Sequence, residues 1–285
     1  MRETSNPVFR SLPKQRGGYA QFGNGAAGAA TQYGHQTDPY APYVDRRAGV
    51  SRPMTIDDVV TKTGITLAVL SAVAVVSYFL VAKDPALARP FLMIGVGGGL
   101  LLAVFAIFGR KQANRAIVLT YAGLEGLFLG AFSFAVASLS TAHAGTMIGQ
   151  AILGTIGVFV GMLVVYKTGA IRVTPKLTRM IVASTVGVLF LMLGNLALEM
   201  FGVNGGAGLG IRGGPHDVGI PWLAVGFSLV CIVVAAFNFL IDFDAADQLI
   251  RAGAPEKAAW AVAFGLTMTL VWLYIEILRL LSYLQ

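Results

Sequence analysis

Charged side chains are scarce in this sequence. They make up 12% of its 285 residues while hydrophobic residues make up 56%, where a soluble domain normally carries about a quarter charged residues. The shortage deepens along the chain: up to Lys62 it is polar, and beyond it long charge-free stretches follow one another. A water-soluble fold is thereby excluded. Cysteine is nearly missing too. Cys231, the single one, lies in an apolar stretch, which rules out a disulfide framework and a Cys-based metal site. The three histidines, His35, His143 and His216, all fall in polar segments, so no HExxH zinc site exists in an apolar one. Ser228, in Gly-Phe-Ser-Leu-Val, has no histidine in an apolar segment to activate it. The last apolar segment has no interior lysine for a retinal Schiff base. Catalysis and a bound cofactor are therefore not expected.

The start, Met1-Arg2-Glu3-Thr4-Ser5, lacks the apolar core of a signal peptide, and Arg2 stands where myristoylation needs a glycine. The first apolar segment is expected to serve as the insertion signal. A net charge of +7 raises the question of nucleic acid. The Lys and Arg residues, however, sit in the N-terminal tail and in short loops flanking apolar runs, which fits membrane orientation and lipid headgroups and not nucleic acid.

What is present divides into two parts. Residues 1–55 are rich in Gly, Ala, Gln, Tyr, Pro and Arg without a helical or alternating apolar period. Such a segment cannot bury enough surface to offset its ordering entropy, and it reads as a disordered cytoplasmic tail. Residues 56–285 read as an all-α transmembrane domain of seven helices, near 64–82, 90–109, 116–138, 146–166, 179–201, 220–241 and 258–283. Each is about 20 residues, enough at 1.5 Å per residue to cross a hydrocarbon core of about 30 Å.

The loops on the tail's side hold Arg110, Lys111, Arg115, Lys167, Arg172, Lys176, Arg179, Arg251 and Lys257; the opposite loops hold Lys83, Arg89 and Arg212. Nine basic residues against three favour a cytoplasmic N-terminus and an outside C-terminus. Gly95 and Gly99, Gly126 and Gly130, and Gly157 and Gly161 form small-xxx-small steps that permit close helix approach in lipid.

An ionisable group inside an apolar span is costly, so each is a candidate site. Glu125 lies near mid-membrane in Tyr121-Ala-Gly-Leu-Glu-Gly, either bonded to neighbouring backbone or part of a proton or cation relay. Glu276 and Arg279 share a helix face at i, i+3 spacing, where they can neutralise each other. Asp242, Asp244 and Asp247 form an acidic end to the sixth helix. Asp242 and Asp244 point to nearly opposite faces, so at most one or two of the three face the interior. The cluster is either a solvated helix end or a carboxylate gate responsive to protons or Ca²⁺. Gly208-Leu-Gly-Ile-Arg-Gly213 matches GxGxxG, but it follows a membrane helix instead of a strand and reads as a flexible outer loop.

Four stretches carry a likeness beyond composition: Ser5-Asn-Pro-Val-Phe9, Tyr121 to Gly130, Phe243-Asp244, and Leu278-Arg279-Leu280-Leu281. With the order of the helices, they resemble the Bax inhibitor-1 / YccA family of seven-helix membrane proteins, within it a bacterial, actinobacterial branch. The resemblance implies a bacterial cell membrane and a Ca²⁺ leak gated by protonation of two aspartates, one on helix six and one on helix seven. Helix six offers Asp244, or Asp242 under a two-residue shift. Helix seven departs from the family, because the matching position is Thr269 and Glu276 lies two turns further on.

The resulting expectation is a monomeric bundle with its last helix central. It would pass Ca²⁺ or H⁺ passively, with Asp242 and Asp244 at the cytoplasmic mouth and Glu125, Glu276 and Arg279 lining the inner path. The alternative is a non-conducting protein that binds another membrane protein through its bundle, with the tail as a tether.

Overall fold

The computed structural model describes residues 52–139, 144–203, 207–213 and 221–284. Those residues form seven long helices: α1 (Ile56–Lys83), α2 (Ala88–Phe108), α3 (Arg115–Leu139), α4 (Ala144–Thr168), α5 (Pro175–Met200), α6 (Trp222–Arg251) and α7 (Ala258–Tyr283). All seven are long and apolar enough to cross a membrane. One 3-10 turn, Pro85–Leu87, joins α1 to α2. The expectation of seven spans holds. Residues 1–51, with the leader Ser5–Phe9 and the bulk of the proposed tail, lie outside the described residues, as do His143 and His216.

Two helices run further than their apolar cores. The first starts at Ile56 and not near 64, because Thr55 caps it with a reciprocal box: Asp58 N donates to Thr55 Oγ1 at 3.4 Å and Thr55 N donates to Asp58 Oδ2 at 2.9 Å. The sixth continues past 241 to Arg251. Its extension stays helical through side-chain pairs one turn apart, Gln248 to Asp244 at 2.6 Å and Arg251 to Asp247 at 2.6 Å. It also buries Phe243 and Ala246 against neighbouring helices.

The N-terminal boundary of the folded part lies earlier than 56. Met54 N donates to Ala254 O at 2.8 Å, Glu256 N donates to Arg52 O at 3.1 Å, and Met54 is buried in the cluster formed with Phe239, Phe243 and Leu266. Residues 52–55 therefore belong to the bundle, clamped to the α6–α7 turn.

As expected, α7 is the central helix. It packs against α1, α3, α4 and α6, and most of its apolar window is buried. Helices α2, α4 and α5 instead show large apolar side chains outward, such as Phe108, Leu153 and Phe190. In water such a surface would drive aggregation; in hydrocarbon it is the solvated face.

Two of the three glycine steps explain the tightest packing. A Cβ on Gly126 would lie 2.5 Å from Leu70 O, and Gly130 sits closer still to Ala74 on the same helix, so α3 lies backbone to backbone on α1. A Cβ on Gly95 would lie 2.5 Å from Phe128 Cβ, which sets α2 on α3. Gly157 and Gly161 meet nothing within 4 Å, and that step joins no helices among the described residues.

Candidate functional site

The candidate carboxylates separate into distinct environments. Asp242, on α6, turns inward: Thr269 Oγ1 on α7 donates to its Oδ2 at 2.7 Å. Gly265, one turn earlier on α7, borders the same carboxylate, where a Cβ would stand at an ordinary contact distance of 3.8 Å from Asp242 Oδ1. No Lys or Arg forms an ion pair with Asp242 among the described residues. Asp242 is thus the helix-six aspartate that faces helix seven, and its partner there is Thr269. The pair sits about 14 Å from the end of α6, well inside the bundle.

Asp244 points the other way, accepting from Gln248 on its own helix. Asp247 is neutralised by Arg251 and also accepts from Tyr166 Oη of α4 at 3.3 Å. The three aspartates are therefore one interior group and two flanking ones.

Glu125 sits on the α2-facing side of α3. A Cβ on Gly99 would come within 2.9 Å of its Oε1, so the absent side chain at Gly99 makes space for the carboxylate. Tyr121, one turn earlier on α3, is buried. Glu125 does not approach Asp242 by a shared interface, because α3 and α6 do not pack closely on one another.

The expectation that Glu276 pairs with Arg279 is corrected by the structure. Glu276, fully buried on α7, receives both of its charge-neutralising bonds from Arg212, with Nη1 to Oε2 at 2.9 Å and Nη2 to Oε1 at 2.8 Å. The i, i+3 geometry allowed the pair but did not require it. A guanidinium meeting the carboxylate edge to edge makes two parallel bonds, a stronger arrangement than a same-helix neighbour can offer. Arg279 lies instead with its guanidinium 5.5 Å from the Phe132 ring centroid on α3.

Arg212 belongs to the glycine-rich stretch read as a flexible outer loop, and it is the counter-charge of Glu276 that sequence reasoning missed. The segment folds back onto the bundle. Gly208, Gly210 and Gly213 all take positive φ, conformations that favour glycine. Leu209 N donates to Asn195 Oδ1 on α5 at 2.8 Å, and Tyr283 Oη of α7 donates to Arg212 O at 3.1 Å. The Arg212 guanidinium also lies 5.0 Å from the Phe227 centroid. Burial pulls the guanidinium's pKa down, but the hydrogen bonds and charge of Glu276 outweigh it and raise the value above the ordinary one. The signal available in the sequence was a lone arginine among glycines, in a chain with glutamates in its apolar spans.

At the opposite face, where α1 begins and α7 begins, a second charged group holds residues 52–55. Arg52 bridges Asp58 at 2.6 Å and Glu256 at 3.4 Å, and Lys62 bridges Glu256 at 3.0 Å. Lys62 and Arg115 both lie near the Trp260 ring, at 5.9 and 5.8 Å. Hydrogen bonding to Asp58 raises the pKa of the exposed Arg52.

Among the described residues no three His, Cys, Asp or Glu side chains converge as a metal site. The arrangement offers single carboxylates spaced along the central helix: Asp242 against Thr269, then Glu276 about 10 Å further on, closed by Arg212.

No curated protein matches the chain. The family model described as Bax inhibitor 1 like matches residues 6–285, and, with seven membrane-length helices of which the last is central, the chain belongs to the Bax inhibitor 1 like family.

Proposed function

We propose that the protein is a passive, pH-sensitive cation leak for Ca²⁺ or H⁺. The observation that carries this reading is the Asp242 carboxylate, set between α6 and α7 on the Thr269 hydroxyl with no Lys or Arg pairing it among the described residues. A carboxylate in that position changes charge by gaining or losing one proton, and its attraction for a cation changes with it. Asp244, on the flank of the same helix and without an ion-pair partner among the described residues, would concentrate cations at the mouth. Because single carboxylates and no three-ligand cluster line the route among the described residues, a permeating ion would be held weakly at each step, as conduction requires.

Glu276 then has a different part from that first expected. With both oxygens on Arg212 it is not open to a cation in this conformation, and the clasp closes the route at that end. Arg212 keeps its charge throughout the range near neutrality, so any pH response must come from carboxylates. Glu125, off this line and facing α2, would act as a separate proton-binding group. The reading involves no catalysis and no cofactor. The distribution of loop charges supports a cell-membrane protein with the 52–55 face cytoplasmic.

The test is Ca²⁺ flux into liposomes holding the purified protein, at several pH values, against empty liposomes. Protein-dependent flux that varies with pH is the expected result. No flux at any pH, from protein shown to be folded, would contradict the proposal.

One observation favours a second reading, a non-conducting protein that binds a membrane-protein partner. The clamp between residues 52–54 and 254–256 ties the end of the tail to the α6–α7 turn, so a partner held by the tail would be brought to that turn. Deleting residues 1–51, which spares the clamp, should leave a leak intact but release a tethered partner on co-purification.

A further inference from the structure

A cavity of about 560 Å³ opens at the face where α7 ends, between α3, α5 and α7 beside the Arg212 loop. Its walls differ in chemistry: Phe132 and Met192 are apolar, while Arg279, Ser282 and Glu199 are polar. Arg212 also borders it, but that guanidinium is committed to Glu276. Arg279 is not committed. Among the described residues it forms no ion pair and donates no hydrogen bond. The Phe132 ring beside the guanidinium takes up no N–H donor in a conventional hydrogen bond, which leaves the five N–H donors of Arg279 to be satisfied. A cation in a membrane helix without an acceptor is costly, and an anion in the adjoining cavity would remove that cost.

Three features narrow the anion. Arg279 stands four residues before the end of α7, about 6 Å along the axis, at the depth where a long basic side chain reaches the headgroup layer. Helices α3 and α5 do not pack closely on one another, and the cavity between them carries an apolar wall of Phe132, Val136, Met192 and Leu196. Glu199, whose Oε1 accepts from Asn195 at 2.5 Å, adds a negative charge to the wall and disfavours a doubly charged ligand. We propose that this cavity binds a phospholipid, with its singly charged phosphodiester on Arg279 and its acyl chains against this apolar wall between α3 and α5. The site is independent of the leak: it uses neither Asp242 nor the Arg212–Glu276 clasp.

The experiment is native mass spectrometry of the full chain titrated with a short-chain phosphatidylethanolamine, in competition with the matching diacylglycerol and with inorganic phosphate. The phospholipid should bind at least about tenfold more tightly than the diacylglycerol, and inorganic phosphate should not displace it. Arg279→Gln should weaken binding about tenfold, equivalent to about 1.4 kcal/mol, and Arg279→Lys should retain most of it. Equal binding of diacylglycerol would show a seam for acyl chains alone, displacement by phosphate would show a soluble-anion site, and an unchanged Arg279→Gln would place the lipid elsewhere; each overturns the proposal. If Arg279→Gln fails to fold, the diacylglycerol competition on the unaltered protein decides the question.

Discussion

The two ends of the bundle hold their charges in opposite ways. Where α1 begins, Arg52, Asp58, Lys62 and Glu256 share a network in which Arg52 is more than half exposed and Glu256 about two-fifths exposed, at 57% and 39%. Where α7 ends, Arg212 and Glu276 form a single pair with side chains 13% and 0% exposed. In the first case water and salt screen Arg52 and Glu256, while Asp58 and Lys62 are buried with side chains 8% and 11% exposed; losing one member still leaves others to compensate. In the second, neither member has another partner of opposite charge among the described residues, so the pair stands or falls together. A chain with few charges thus uses them as a soft clamp at one end and an all-or-none clasp at the other.

This contrast can be broken most sharply at the clasp. Arg212→Met should destabilise the folded bundle by about 3–5 kcal/mol, because it strands a buried glutamate. The double variant Arg212→Met/Glu276→Leu should recover most of that loss. Reversible unfolding in bicelles would read both, and a single variant as stable as the unaltered protein would show that the clasp contributes nothing. Lys62→Met comes next, with an expected loss of about 1 kcal/mol, since its side chain is mostly buried but Glu256 keeps Arg52 as a second partner. The smallest effect is expected for Arg52→Ala. Its shift in unfolding midpoint should fall below that of Lys62→Met and fade at high salt; a salt-independent shift would mean that the network is not screened as described.

Much of this architecture was legible in the sequence because lipid imposes simple demands. Apolar runs of membrane-crossing length and the Gly126–Gly130 step each carry their physical reason locally. The ends of α1 and α6 were misplaced because they leave the apolar zone as polar helices, held by the Thr55–Asp58 box and by the Asp244–Gln248 and Asp247–Arg251 pairs. An apolarity criterion does not see those bonds. The candidate site was legible by residue type but not by partner. Glu276 was recognisable as costly, yet its counter-charge comes from a loop 64 positions away, whereas the sequence suggested the neighbour one turn on. Asp242 and Asp244 could not be separated by spacing alone; the Thr269 hydroxyl on another helix settles which one turns inward. Gly157 and Gly161 show the reverse error, a packing motif with nothing packed on it among the described residues.

The central claim, that Asp242 is the group whose protonation sets the leak, is tested most directly by comparing Asp242→Asn with Asp244→Asn in Ca²⁺-flux measurements between about pH 6 and pH 8. Asp242→Asn cannot change charge, so its flux should become independent of pH, while Asp244→Asn should keep the pH dependence with a modestly altered rate. A pH response that survives in Asp242→Asn and disappears in Asp244→Asn would contradict the account and move the gate from the Thr269 contact to the outer flank of α6.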